Sequence, residues 1–281
     1  MKKDIFAEKK VMNKKWLKLM AVIGAFLLFT VLLGLVQKLI VPEEWLKNYT
    51  LNCVRIILQE VVTISLFVLL AAKVFKIKIN LGRKNVVKGI FWYGLVMCIA
   101  VVVTFVMSYI APEKSIPAAL PLVLLTLVAY MLVGVQEEVS FRGILFGVCR
   151  EYFGESKKGI YLSVLISALT FGCMHLSNLL VYPSLVVATI SQVIYAAEVG
   201  IIFAVIYYRS GNLLPCIILH GLFDFAASFW LCFADNVNDV LNVQNTTDID
   251  IASALGSIAM CLPFVVSGLW QLRTVFKNKE A

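Results

Sequence analysis

Charge is scarce in this chain. Of its 281 residues only 15% are Asp, Glu, Lys or Arg, while 61% are hydrophobic. A soluble domain carries about 25% charged residues and about half apolar ones. No stretch outside the apolar runs is long enough to build a soluble domain, so residues 1–281 read as a single membrane domain. Histidine is scarcer still, with two in the whole chain. The seven cysteines, Cys53, Cys98, Cys149, Cys173, Cys216, Cys232 and Cys261, form no C-x-x-C pair and lie in or beside apolar runs. They read as small buried hydrophobes, not as a disulfide framework or metal cluster. Several hydrolytic signatures are missing: H-E-x-x-H, the G-x-S-x-G serine elbow and an aspartyl G-x-G-D. Cys173 and His175 are two residues apart and face nearly opposite ways on a helix, which argues against a local Cys–His pair. There is no internal repeat of the kind many transporters carry.

What the chain has in abundance is long apolar runs, and these predict an all-α polytopic membrane protein of about eight transmembrane helices. The expected spans are residues 16–41, 51–75, 86–110, one beginning near 116, then 159–176, 182–208, 213–233 and 251–275. The first has too long an apolar core, and no small-residue cleavage site, for a signal peptide. The net charge of +8 does not point to nucleic acid, because the bases sit in short loops and at the two ends.

Their placement predicts orientation instead. Lys2, Lys3, Lys9, Lys10, Lys14 and Lys15 precede the first span. Lys73, Lys76, Lys78, Arg83, Lys84 and Lys88 follow the second, Arg150, Lys157 and Lys158 the fourth, Arg209 the sixth, and Arg273, Lys277 and Lys279 the eighth. The intervening connectors hold few bases; residues 234–250 carry Asp235, Asp239, Asp248 and Asp250 and none at all. The positive-inside rule then predicts a cell-membrane protein with both termini cytoplasmic, and a mobile outer loop over 234–250.

Ionisable residues deep in a span cost about 2.5–3.5 kcal/mol each on insertion scales and are functional candidates by default. Those expected here are Arg55, Glu60, Glu137, Glu138, Arg142, His175, Glu198, His220 and Asp224. In the fourth span an apolar run leads into Gln136-Glu137-Glu138-Val139-Ser140-Phe141-Arg142 and then turns apolar again through residue 149. As one helix, residues 116–149 would be about 51 Å long, more than a ~30 Å hydrocarbon core requires, so the helix must tilt, project or break. Glu138 and Arg142 share a face at i, i+4 and can pair, with Glu137 about 100° further round. Phe171 precedes His175 by one turn, and Asp224 follows His220 by one turn, where it can orient the imidazole. Taken as a set, these residues suit activation of a water by a carboxylate, with two imidazoles to hold the water, stabilise an oxyanion or bind a metal. Glu198 matches no motif and is expected either to line the same cavity or to pair with Arg55.

Glu137-Glu138-x-x-x-Arg142, Phe171-x-x-x-His175 and His220-x-x-x-Asp224, in that order on three polar-marked helices, resemble the CAAX-protease and bacteriocin-processing family of intramembrane endopeptidases, also called the type II CAAX prenyl endopeptidase or Abi family. The resemblance covers about residues 116–233. It implies a catalytic core there, with the site between helices 4, 5 and 7. One glutamate of the Glu137/Glu138 pair would activate water, Arg142 orient the pair, and His175 and His220 hold the water or the oxyanion. Asp224 stands where the family has Asn or Asp, and Phe171 would pack the cavity wall. The implied cofactor is none, or a divalent metal such as zinc; if a metal is used, its ligands would be His175, His220 and Glu137. The implied partners are a membrane-associated peptide or protein substrate and the lipid bilayer. Two rival readings are a silent relative acting as a membrane scaffold or bacteriocin-immunity protein, and a proton-coupled transporter. Span counting raises one conflict. It puts His175 near the outer end of helix 5 and His220 near the inner end of helix 7, so they meet only if helix 5 is short or sunken or helix 7 begins beyond the bilayer.

Overall fold

A computed structural model of the chain describes residues 12–109 and 112–278. The tail lysines Lys2, Lys3, Lys9, Lys10 and Lys279, and Ile110 at the expected end of the third span, lie outside the described residues. Seven helices are long and apolar enough to cross a membrane: α1 (Met12–Leu39), α2 (Tyr49–Phe75), α4 (Ile116–Phe153), α5 (Lys157–Val181), α6 (Val186–Ser210), α7 (Leu214–Phe233) and α8 (Ile251–Asn278). A further apolar pair of helices, α3 (Val86–Tyr93 and Leu95–Ser108), is bent by 73° at Gly94 and makes an eighth span if the pair crosses as one. There is no strand among the described residues. Large apolar side chains such as Leu28, Val62, Trp92, Val106, Leu124, Met260 and Trp270 face outward. Such a surface suits hydrocarbon and not water, and the chain is an all-α, multi-pass membrane protein.

The helices are not equally immersed in lipid. α6 and α7 are the most enclosed; α6 packs on α5 and α8, and α7 on α4 and α3. α2 lies against α4, and α1 against the C-terminal end of α4 and the last turn of α5. Without a hydrophobic driving force between helices in lipid, close approach at small residues supplies the packing. The α4–α7 crossing is of this kind. A Cβ on Gly134 would stand 2.7 Å from the backbone N of Gly221, and one on Gly221 would stand 2.9 Å from the Cα of Met131. The helices therefore touch backbone to backbone just before Glu137 on one side and just after His220 on the other. α5 and α6 meet in the same way, since a Cβ on Gly172 would come within 2.3 Å of the Val193 carbonyl.

Of the ways α4 could accommodate its length, it does not break. It runs unbroken from Ile116 to Phe153 but changes winding. Residues Val139–Phe146 form a π-helical stretch starting directly after Glu138, and all eight are buried. The wider winding loosens the backbone hydrogen-bond ladder, a feature that recurs at functional sites. Ser167 of α5 supports it by donating to the Phe141 carbonyl at 3.1 Å, as backbone removed from water requires.

Two connectors are more ordered than the sequence suggests. Residues 234–250 are not a mobile loop. They hold the helix Val237–Thr246, with Leu241 buried. Asn238 Oδ1 accepts the Tyr49 N–H at 2.9 Å, and the Asp248 carboxylate accepts the N–H groups of Val187 and Ala188 at 2.7 and 2.8 Å, capping the start of α6. Opposite charges do the work here: a carboxylate meets unpaired N–H groups at a helix N-terminus. At the other end of α6, the turn into α7 is covered by residues 76–85. Asn80 donates to the Gly211 carbonyl at 2.6 Å, Asn85 to that of Ser210 at 2.9 Å, and Asn212 to those of Gly82 and Lys84. Asn212 and Leu213 are fully buried there.

Candidate functional site

The α6–α7 turn lies under residues 76–85, so α7 begins buried within the protein. The α-helical part of α5 ends at Met174, and His175 opens a 3₁₀ turn, His175–Ser177. The Phe171 ring then touches both histidines edge-on, at 5.4 Å from His175 and 5.9 Å from His220.

Around His220 the sequence motifs converge. Its Nδ1 lies 2.7 Å from Glu138 Oε1, the same oxygen that accepts from Arg142 Nη1 at 2.8 Å. Its Nε2 lies 3.2 Å from Glu137 Oε2 and 3.5 Å from Asp224 Oδ2. Nδ1 thus faces Glu138 while Nε2 faces Glu137 and Asp224, so both ring nitrogens stand against carboxylate oxygens.

The two glutamates have different surroundings. Glu138 and Arg142 are 0% exposed, and the guanidinium lies over the rings of Phe171 (4.5 Å) and Phe203 (5.2 Å). This rules out an ordinary surface pair at the end of a span. The Glu137 side chain retains 20% exposure and lines a cavity of about 180 Å³ between α1, α2, α4 and α5. His175 lines the same cavity, and among the described residues it makes no ion pair with a carboxylate. The remaining wall is mixed, with Phe26, Phe29, Phe67 and Phe141 beside polar Gln37, Gln59, Glu60, Gln136, Ser177 and Asn178.

The structure therefore brings Glu137, Glu138, Arg142, His220 and Asp224 into one cluster of ionisable groups, with Glu138 hydrogen-bonded to Arg142 and His220 and with Glu137 and Asp224 within ion-pair distance of His220. His175 is attached to it only through Phe171 and the shared cavity. Phe171 is buried and lines the cavity wall. Glu198 fulfils neither expectation. It lines a separate, almost wholly apolar crevice between α5 and α6 beside Cys173, while Arg55 bonds to Asn52 and Gln59.

Two residues of the site carried no assignment from sequence. Phe203 of α6 stacks on His220 at 4.9 Å and 19° and gave no signal, being one apolar residue in an apolar helix. Glu60 of α2 did give a signal, as an ionisable residue inside a span, but lies outside the motif-bearing segment. Of the suggested metal set, Glu137 lies against His220 while His175 stands apart from both, and among the described residues no group of three or more His, Cys, Asp or Glu is arranged to hold a metal ion.

Residues 117–226, which contain every one of the motif residues, match the family model described as type II CAAX prenyl endopeptidase Rce1-like. No curated protein and no solved structure matches the chain. The resemblance first carried by three short motifs thus extends over a continuous segment.

Proposed function

We propose that this multi-pass membrane protein is a CAAX-type intramembrane endopeptidase, hydrolysing small or membrane-associated peptides with water activated by Glu137. Residues 1–281 act as one membrane domain with its catalytic core over about 116–233, in the cell membrane and with both termini cytoplasmic. The observation that carries the reading is the split between the two glutamates. Glu137 faces a cavity opposite His175, while Glu138 is sealed behind it against Arg142 and His220.

In this reading a water sits between Glu137 and His175, with the scissile carbonyl beside it. Glu137 removes a proton as the water oxygen attacks the carbonyl carbon, then delivers that proton to the amide nitrogen as the C–N bond breaks. The ring nitrogens of His175, free of carboxylate partners, hold the water and then donate to the oxyanion. His220, fixed by Glu138 and steered by Asp224, exchanges a proton with Glu137 through Nε2 and keeps that carboxylate aimed into the cavity. Arg142 balances the charge of Glu138 and touches no substrate. Every step uses groups of the chain itself.

The test is proteolysis in reconstituted membranes against a mixed library of membrane-associated peptides. Wild type is expected to cleave, and Glu137→Gln and His175→Ala to be folded and inactive. Cleavage at the wild-type rate by Glu137→Gln would overturn the assignment.

A further inference from the structure

Glu60 stands on the α2 wall of the same cavity, outside the segment that resembles the peptidase family. It is 6% exposed. Each of its oxygens accepts one hydrogen bond: Oε1 from Gln59 Nε2 at 3.0 Å, and Oε2 from Thr63 Oγ1 at 2.8 Å. Both donors are neutral. The nearest cation on its helix, Arg55, is held away, donating instead to Gln59 Oε1 and Asn52 Oδ1, both at 2.9 Å. Gln37 of α1 also donates to Gln59 Oε1, at 3.0 Å, so the Gln59 amide is locked with its NH₂ towards Glu60. The carboxylate is thus oriented by neutral groups, and among the described residues it forms no ion pair with Lys, Arg or His.

A buried carboxylate without a counter-ion is costly and is retained where something else supplies the charge. Arg142, the fully buried cation of the site, is committed to Glu138. Arg55 acts on Glu60 only from beyond Gln59, so a cation entering the cavity would be the first to pair with it directly. Phe26, Phe29 and Phe67 in the cavity wall suit the methylene stem of a long basic side chain, whose head would then reach Glu60.

We propose that Glu60 is a specificity-determining residue: it receives a lysine or arginine side chain of the peptide whose bond is presented to Glu137. The proposal rests on the peptidase reading for the meaning of that bond, but its test does not require cleavage. Glu137→Gln protein in nanodiscs would be titrated with two pools of randomised decapeptides that differ only in a fixed central residue, lysine or norleucine. The lysine pool is expected to bind about tenfold more tightly or better, an ordinary return for a desolvated charge pair. The ratio should fall close to one when Glu60→Gln is added, and towards one as the salt concentration is raised. Equal binding of the two pools to Glu137→Gln protein would overturn the proposal. So would a preference that survives Glu60→Gln. A lysine preference in binding, with no cleavage by wild type, would sink the peptidase reading and leave this one standing; cleavage with no such preference would do the reverse.

Discussion

The buried ion pair beneath the cavity allows a prediction that can be worked through. In Arg142→Met the side-chain volume is roughly kept, but Glu138 is left with His220 as its only charged partner, and one of its oxygens, Oε2, already has no hydrogen bond. Removing one member of a buried pair costs about 3–5 kcal/mol. Loss of the guanidinium from the faces of Phe171 and Phe203 adds about 1–2 kcal/mol. The single variant should therefore lose several kcal/mol in a denaturant titration in micelles, and its midpoint should fall steeply. The double variant Arg142→Met/Glu138→Gln removes the stranded charge while the glutamine Oε1 can still accept from His220 Nδ1. Replacing a whole buried pair is often close to neutral, so the double variant should recover most of the stability lost by the single one. An Arg142→Met protein within about 1 kcal/mol of wild type, or a double variant less stable than the single, would refute the claim that the two charges compensate each other in a dry interior.

Other expectations can be checked alongside. Glu137→Gln should lower turnover by about 10²–10⁴-fold, the usual worth of a general base, with a small effect on the unfolding midpoint; Glu138→Gln should alter both, and identical stability profiles would contradict the division of roles. Gly134→Ala should wedge α4 from α7 and cost about 1–3 kcal/mol, whereas Gly24→Ala, with nothing within 4 Å of its Cβ, should be silent in the same titration. At Asp248, desolvation would raise the carboxyl, but N–H donors from Ala188, Val187 and Ile249 outweigh it and hold the group below its ordinary 3.8. A depressed carboxyl stabilises the fold above its unfolded value, and that contribution is lost as pH falls through the folded one. The stability gap between wild type and Asp248→Asn should thus be full at pH 6 and shrink below about pH 4; a gap independent of pH would remove the cap from the account. Cysteines placed at Asp239 and Lys78 should label from the outer and inner face respectively, and the opposite pattern would invert the proposed orientation.

Much of this protein was determined by its sequence alone. A bilayer forces every backbone group to be paired within a helix, so long apolar runs translate directly into spans, and the boundaries of α2, α7 and α8 fall within a few residues of the expected ones. The motif residues were equally legible, because Glu, Arg and His are expensive in hydrocarbon and stand out in a chain with so few of them. What the sequence could not decide is which of those groups meet and which way they face. Glu137 and Glu138 are adjacent and chemically identical; helix geometry sets them about 100° apart, but only the packing of α1, α2, α5 and α7 around α4 decides which of them lines the cavity and which is sealed against Arg142. The order in 234–250 and the sunken start of α7 likewise arise from hydrogen bonds between segments far apart in the chain, of which local composition carries no trace. Glu60 and Glu198 look the same in sequence, each a lone carboxylate in an apolar helix. Packing alone put one on the wall of the cavity and the other in a separate crevice.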